Sequence, residues 1–247
     1  PNIKDKGPGW PTMDGNIVGI AVAADGFVGY YPIAHENGSN MDIKMVLDWV
    51  QDIVSGPGDK IFHNAPYDVG WLRAHGIRIK NGRIIDTMIA SAIVDENRFS
   101  YSLNALGFDL LGETKSEAEL KQAADDWGIN AKSELYKLPA KFVGSYAEQD
   151  ASLTLKLWQY FKTEITKQSL TDIFKTETEL LPILIEMRAV GVRVDLLEAE
   201  KLKKEFVAKE DKILLKIKKE AGLDVDIFAA RSIAKAFDKL KIKYPLT

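Results

Sequence analysis

The sequence has 247 residues, 46% of them hydrophobic and 28% charged, with a formal net charge of −3 at pH 7. This composition is typical of a soluble globular protein of one large or two small domains, and no apolar run approaches the roughly 20 residues that a membrane span needs. The absence of cysteine excludes disulfides and thiolate metal sites, so a metal site would use oxygen ligands or the three histidines. Oxygen ligands favour magnesium or manganese.

Strands and helices alternate in the first part of the chain, which predicts an α/β fold. Two β-rich runs on either side of Ala-Asp-Gly predict a hairpin. The predicted strands cover residues 16–23, 27–33, 60–63 and 84–85, and the predicted helices cover 41–54, 64–76, 87–93, 100–111 and 117–127, followed by a helix that contains YAEQD.

The pattern changes after about residue 167, where the β-rich runs nearly disappear. Apolar spacing predicts helices over 177–190 and 196–221, and Gly191 stands in the position expected just past a helix end. We therefore expect two domains, residues 1–168 and 169–247, the second mainly helical.

Two pairs of polar residues have the same helical spacing. Tyr146 and Asp150, and likewise Asn64 and Asp68, are four residues apart, so each pair shares one face of its helix. Carboxylates on rigid elements can hold two divalent cations that activate a water and stabilise the leaving oxygen of a phosphodiester. A tyrosine hydroxyl beside them can orient the attacking water, so the pattern is compatible with phosphodiester hydrolysis.

Each pair also has a purely structural explanation. A Tyr-x-x-x-Asp spacing often arises by chance, and Asn64 before Ala-Pro can cap a helix through its side chain. Asp86 is most simply a helix cap. His35, His63 and His75 share no spacing, which argues against a histidine metal site.

The segments around these pairs resemble a known family. HNAPYDVGWL resembles the second exonuclease motif, and YAEQDA the third, of the proofreading 3′–5′ exonuclease domain in family A DNA polymerases. Between them, IIDTMIASAIVDEN and YSLNALGFDLLGETK look like the connecting segments, in the same order. ETELLPILIEMRAVGVRVD is similar to the segment that opens the polymerase region, and the C-terminal residues look like the part leading toward thumb and palm, with a phage character.

The resemblance implies a ribonuclease H-like domain over residues 1–168, with a mixed sheet and flanking helices. It also implies the N-terminal part of the polymerase domain, including thumb helices, over residues 169–247. The implied activity is removal of a mispaired 3′ nucleotide from single-stranded primer. The implied partners are a DNA primer-template and, in the full enzyme, dNTPs. A monomer in the cytoplasm of a bacterium or phage-infected cell, without membrane contact, is expected.

The resemblance also assigns roles to individual residues. It implies that Asp68 and Asp150 are carboxylates of a site for two Mg²⁺ or Mn²⁺ ions, with Tyr146 as the water-orienting hydroxyl. Asn64 and Tyr67 match positions that contact the frayed primer strand, where an aromatic ring can stack on an unpaired base. Arg98 is a further candidate, for a phosphate contact.

The first motif of that family, Asp-x-Glu on a central strand, occurs nowhere in the sequence. The chain opens inside the loop expected after that strand, so the neighbouring strands are expected to expose unpaired edges and the chain to fold poorly alone. Residues upstream, a separate segment, or loss of the motif in a scaffold domain would each explain this. Two alternatives to a proofreading enzyme therefore stay open, an inactive DNA-binding or structural module and a 3′–5′ exoribonuclease.

Overall fold

The computed structural model describes residues 7–113, 118–131 and 133–245. The chain divides into two compact units, the first ending at Gly191 and the second beginning at Val192. In the first unit the strands are β1 (Gly19–Ala24), β2 (Phe27–Pro32), β3 (Lys60–Phe62) and β4 (Ile84–Asp86). Its α-helices are α1 (Ile43–Ser55), α2 (Ala65–Ala74), α3 (Thr87–Val94), α4 (Leu103–Leu106), α5 (Ala118–Asp126), α6 (Ala140–Lys167) and α7 (Thr171–Val190). Residue 117, where one predicted helix begins, lies outside the described residues.

The strands form one antiparallel and one parallel pair. β1 and β2 form the predicted hairpin, in which Ala24 pairs with Phe27 across a turn where Gly26 adopts φ 73°. β3 and β4 run parallel, with Phe62 beside Asp86. The predicted α/β class is confirmed. Within the described residues, however, the strands form two separate two-stranded sheets instead of one continuous mixed sheet.

Helix α6 provides the main core of the first unit. Leu153, Leu157 and Phe161 recur every four residues and are almost completely buried, which is the apolar stripe of an amphipathic helix. This stripe packs against residues of β4, α3 and α7, and Trp158 stacks on Phe174 of α7 with ring centroids 5.4 Å apart. The N-terminal third of α6 lies beyond this stripe and carries the YAEQD segment.

Helix α7 belongs to the first compact unit. Leu181 and Ile185 are buried in a cluster with Trp10 and residues of α2, and Glu186 forms an ion pair with Arg73. The unit therefore ends at Gly191, beyond the boundary predicted at residue 168. The division of the chain into an exonuclease and a polymerase part remains a prediction.

The second unit contains helices α8 (Leu196–Ala221) and α9 (Ala230–Leu240). The bounds of α8 match the predicted helix 196–221. Asp195 caps its start by accepting hydrogen bonds from the backbone of Leu197 and Glu198, and Gly222 follows its end with φ 66°. Among the described residues, no helix combines the length and apolar character that crossing a membrane requires.

Candidate functional site

The site begins where β3 and β4 end side by side. Each strand is followed by a helix: β4 leads directly into α3, and β3 is followed by His63, Asn64 and then α2. Asp86, at the end of β4, is only 4% exposed, and its carboxylate accepts hydrogen bonds from the backbone N–H groups of Asn64 (3.0 Å), Ala65 (2.8 Å) and Met88 (2.9 Å). One carboxylate thus caps both helices, and the prediction that Asp86 is a helix cap is confirmed.

Asn64 does not cap α2 with its side chain, so that prediction is wrong. The residue adopts φ 66° and its side chain makes no capping hydrogen bond. The physical reason is that Asp86 already accepts hydrogen bonds from the backbone N–H groups of Asn64 and Ala65 at the start of α2. The side chain of Asn64 is exposed instead.

Asp68 lies in the first turn of α2. Burial among protein atoms, then the negative charge of Asp86, and then that of Asp150 raise the pKa of Asp68 to about 7. Asp68 is nevertheless an exposed residue, so water reaches its side chain. A carboxylate that its neighbours destabilise but water can reach is well suited to bind a cation.

Tyr146 and Asp150 lie one turn apart in α6, and both are half-buried. Tyr146 packs against an apolar cluster that includes Leu138 and Val143. The charge of Asp150 acts on Asp68, although the two residues lie on different helices. The structure thus brings the carboxylates of the two sequence motifs into electrostatic range.

The donor chemistry of these residues fits a divalent cation, because carboxylate oxygens are the ligands that magnesium and manganese prefer. Within the described residues, no group of three His, Cys, Asp or Glu side chains is placed to hold one ion. The carboxylate of Asp86 is already engaged with three backbone donors. Asp68 and Asp150 therefore fit as part of a metal site that needs further carboxylates.

Tyr67, one of the predicted nucleic-acid contacts, is half-buried next to Asp68. Its ring packs against the cluster formed by Trp10, Trp71 and neighbouring residues. Burial raises the pKa of its phenol, and a hydrogen bond with Trp71 partly opposes this effect. The ring is therefore held at the start of α2, with part of its surface accessible.

Arg98 lies after α3, and its guanidinium pairs with acidic side chains. It forms one ion pair with Asp109 and another with Asp95 at 3.8 Å. Only 15% of the side chain is exposed. In this arrangement, a phosphate would have to compete with two carboxylates for Arg98.

Two residues at the site were not predicted from the sequence as members of it. Asp86 contributes its negative charge to the site and also caps both helices. His63, half-buried before Asn64, hydrogen bonds through Nδ1 to the hydroxyl of Thr87 at 2.9 Å. A polar residue at the carboxyl end of a parallel strand is a known indicator of a site, and this indicator would have pointed to both residues.

Comparison with known proteins agrees with this geometry. A family model described as 3′–5′ exonuclease, of the DNA polymerase A type, matches residues 16–166. A DNA-directed DNA polymerase of Pseudomonas phage M6 is 34% identical over 250 aligned positions, which cover 98% of this chain and 38% of the relative. DNA polymerase I of Rhizobium leguminosarum is 26% identical, and the alignment covers 67% of this chain and 17% of the relative. The chain thus spans well under half the length of these relatives.

The fold also has a counterpart among solved structures. The POL domain of Pol1 from M. smegmatis, in complex with a DNA primer-template and dNTP, superposes with a TM-score of 0.61 at 19% sequence identity. The match covers 91% of this chain and 35% of that one. At this identity the likeness concerns the fold.

Proposed function

Since the chain belongs to the 3′–5′ exonuclease family of family A DNA polymerases, we propose that its first domain removes mispaired nucleotides from the 3′ end of a DNA primer. The observation that carries this proposal is the match of the 3′–5′ exonuclease family model to residues 16–166, which contain both motifs. The effect of the Asp150 charge on the pKa of Asp68 supports a shared site.

In the proposed reaction, a water molecule attacks the phosphorus of the terminal phosphodiester. The 3′ oxygen of the preceding nucleotide leaves, and a nucleoside monophosphate is released. The hydroxyl of Tyr146 orients the water through a hydrogen bond. Asp68 and Asp150 would supply some of the ligands for two Mg²⁺ or Mn²⁺ ions, which when bound supply positive charge at the phosphate and lower the pKa of a water.

The proposed site is incomplete without an Asp-x-Glu pair, which the 247 residues do not contain. Two carboxylates cannot neutralise two divalent cations, and the two-metal arrangement calls for several carboxylates on rigid elements. We therefore expect these residues alone to hydrolyse DNA very slowly, and a strand that carries Asp-x-Glu to restore the activity.

The nucleic-acid contacts in the proposal follow from the start of α2. Asn64 is exposed there and Tyr67 offers part of its ring, so both can meet an unpaired 3′ nucleotide beside Asp68. Stacking on an aromatic ring is tolerant of base identity, as a proofreading site requires. Arg98 is a weaker phosphate contact, because it is already paired with Asp95 and Asp109.

The proposal extends to the remainder of the chain. Residues 169–247 would form the start of a polymerase domain with thumb helices, which acts on a primer-template and dNTPs in the complete enzyme. Sequence similarity to phage and bacterial DNA polymerases supports this assignment and a place in the cytoplasm of a bacterium or phage-infected cell. The proposal includes a monomeric protein.

The test is degradation of a labelled 3′ single-stranded DNA by the natural polypeptide that carries this sequence. Asp68→Ala combined with Asp150→Ala should lower the rate at least 100-fold, an order of magnitude typical for loss of groups that stabilise the transition state. Asp48→Ala, on the exposed face of α1, is the matched control and should leave the rate unchanged. Equal rates for the double variant and the parent would refute the assignment of both residues, and faster cleavage of RNA than DNA would favour an exoribonuclease.

The absence of Asp-x-Glu favours a second candidate, an exonuclease-like domain that binds DNA without hydrolysing it. This candidate predicts that the natural polypeptide binds a 3′ single strand but leaves it intact in Mg²⁺ and in Mn²⁺. Binding and cleavage measured on the same labelled strand distinguish the two functions.

A further inference from the structure

We propose that Tyr30 and His35 are positioning residues for the exonuclease site, because they fix the start of the helix that carries Tyr146 and Asp150. This inference rests on the proposed function for its catalytic consequence. Tyr30 lies on β2, His35 lies in the loop that follows, and neither belongs to an exonuclease motif identified in the sequence.

A chain of hydrogen bonds connects β2 to Leu138, two residues before α6 begins. Nδ1 of His35 lies 2.6 Å from the carbonyl oxygen of Leu138, and Nε2 lies 2.7 Å from the hydroxyl of Tyr30. A carbonyl oxygen only accepts, so Nδ1 is the donor, and Nε2 of the neutral ring must then accept from the Tyr30 hydroxyl. His35 is 4% exposed and Leu138 is fully buried, so water competes little for these bonds.

The same loop fixes the two carbonyl groups before Leu138. The backbone N–H of Glu36 donates to the carbonyl of Tyr136 at 2.8 Å, and the side-chain amide of Asn37 donates to that of Lys137 at 2.7 Å. Three consecutive carbonyl groups just ahead of α6 are thus held by three consecutive residues of the loop. This arrangement determines where the helix begins.

Tyr30 also contacts the helix at the motif itself. Its backbone N–H donates to the carboxylate of Glu148 at 3.0 Å, and Glu148 lies between Tyr146 and Asp150 in the sequence. The rings of Tyr30 and Tyr146 pack against the same apolar cluster, which includes Leu138 and Val143. Tyr30 therefore contacts both His35, which holds Leu138, and Glu148, which lies between Tyr146 and Asp150.

The neighbouring strand leaves space for this tyrosine. A Cβ atom added to Gly19 of β1 would lie 2.1 Å from the Tyr30 hydroxyl oxygen, which no side chain tolerates. Gly19 thus allows the hydroxyl to reach His35. Tyr31, the next residue along β2, packs against Trp49 with ring centroids 4.4 Å apart and provides a matched control away from the network.

Two variants separate the links of the network. Tyr30→Phe removes the hydroxyl and retains the ring, while His35→Asn retains a donor toward Leu138 but no longer reaches Tyr30. In hydrogen exchange of the natural polypeptide, both should speed exchange in the first turns of α6, residues 140–150, and leave residues 157–165 unchanged. Tyr31→Phe should match the parent. Gly19→Ala should speed exchange over residues 140–150 at least as much as Tyr30→Phe, because the added Cβ would meet ring atoms of Tyr30 as well as its hydroxyl.

The catalytic readout is the rate per folded molecule on a 3′ single-stranded DNA. Tyr30→Phe should lower kcat about tenfold with KM unchanged, because a misplaced catalytic group slows the chemical step without weakening substrate binding. A merely structural role would lower the folded fraction but not kcat per folded molecule. Unchanged exchange over residues 140–150 in both variants would overturn the proposal. A parent protein without nuclease activity would instead refute the proposed function, and the exchange result would still decide whether Tyr30 and His35 fix the helix.

Discussion

At the level of single residues, Asp68 and Asp86 divide two tasks between them. Asp86 is buried and accepts three backbone N–H groups at the starts of two helices, so it stabilises the fold. Asp68 lies nearby on α2, where burial and the charges of Asp86 and Asp150 raise its pKa to about 7. The negative charge of Asp68 is therefore unfavourable for the fold. Such a charge is expected of a group that binds a cation and does not stabilise the protein.

His35 gives the folded protein a pH dependence in the acidic range. Burial lowers its pKa below the ordinary value of 6.5, opposed by the hydrogen bond to Leu138. Below pH 6.5 the unfolded chain therefore binds a proton that the folded chain excludes, so the stabilisation from neutral His35 is complete above that pH and is lost as the pH falls toward the folded pKa.

The difference in free energy of unfolding between the parent and His35→Asn should depend on pH. The advantage of the parent in free energy of unfolding should be larger at pH 7.5 than at pH 5.5, because only the parent carries the buried imidazole. Urea unfolding at both pH values measures this difference. A difference that stays constant, or grows toward pH 5.5, would contradict the neutral, buried state of His35.

At the level of secondary-structure elements, two helical glycines should respond to substitution with opposite signs. A Cβ atom on Gly70 in α2 would lie 2.2 Å from the ring of Trp10, which is buried, whereas one on Gly144 in α6 would lie 3.5 Å from Tyr30, an ordinary contact. Gly70→Ala should cost about 1–3 kcal/mol through overpacking. Gly144→Ala should gain roughly 0.5–1 kcal/mol, because alanine favours a helix interior.

Thermal unfolding of both glycine variants checks this pair. The two substitutions add the same methyl group to the same kind of backbone, so the comparison isolates the contact with Trp10. Stabilisation by Gly70→Ala would show that Trp10 does not occupy this position.

Whether the end of a helix can be predicted depends on whether the residues that cap it are close to it in the sequence. Helix α8 was predicted with its observed bounds, because Asp195 and Gly222 mark its ends locally. The capping role of Asn64 was predicted wrongly because its competitor, Asp86, reaches it only through the pairing of β3 with β4. Local signals specify helix ends well, while a contact made across a sheet has no signature within the segment itself.

At the level of the whole molecule, the parts of the site that lie within one helix were predicted from spacing, and those that depend on packing between distant segments were not. Spacing placed Tyr146 and Asp150 on one helix face, and the resemblance to exonuclease motifs paired them with Asp68. The role of Tyr30 and His35 was not predicted, since it requires the hairpin to pack against a helix that begins at Ala140. The packing of α7 onto the first unit likewise has no local signature in the sequence, and the domain boundary at residue 168 stays a prediction.

Truncation tests where the first unit ends. The natural polypeptide cut after residue 191 retains α7 and should unfold cooperatively, whereas the same polypeptide cut after residue 168 loses Phe174, Leu181 and Ile185 and exposes the surfaces they cover. Each buried apolar side chain contributes roughly 1.5–3 kcal/mol, so the shorter chain should lose most of its stability. Urea unfolding followed by near-ultraviolet circular dichroism reports this. Equal stability of the two chains would contradict the assignment of α7 to the first unit.

The most direct test of the central claim is a double-mutant cycle between Asp68 and Asp150, measured by unfolding at pH 8 and low salt without divalent cations. If the two carboxylates repel each other at one site, Asp68→Asn should stabilise the protein, and the double variant should gain less than the sum of the single variants by about 0.3–1 kcal/mol. A control cycle that pairs Asp68 with Asp48, an exposed residue of α1, should give additive effects. Additive effects for Asp68 with Asp150 would show that the two carboxylates do not meet, and would contradict the proposed exonuclease site.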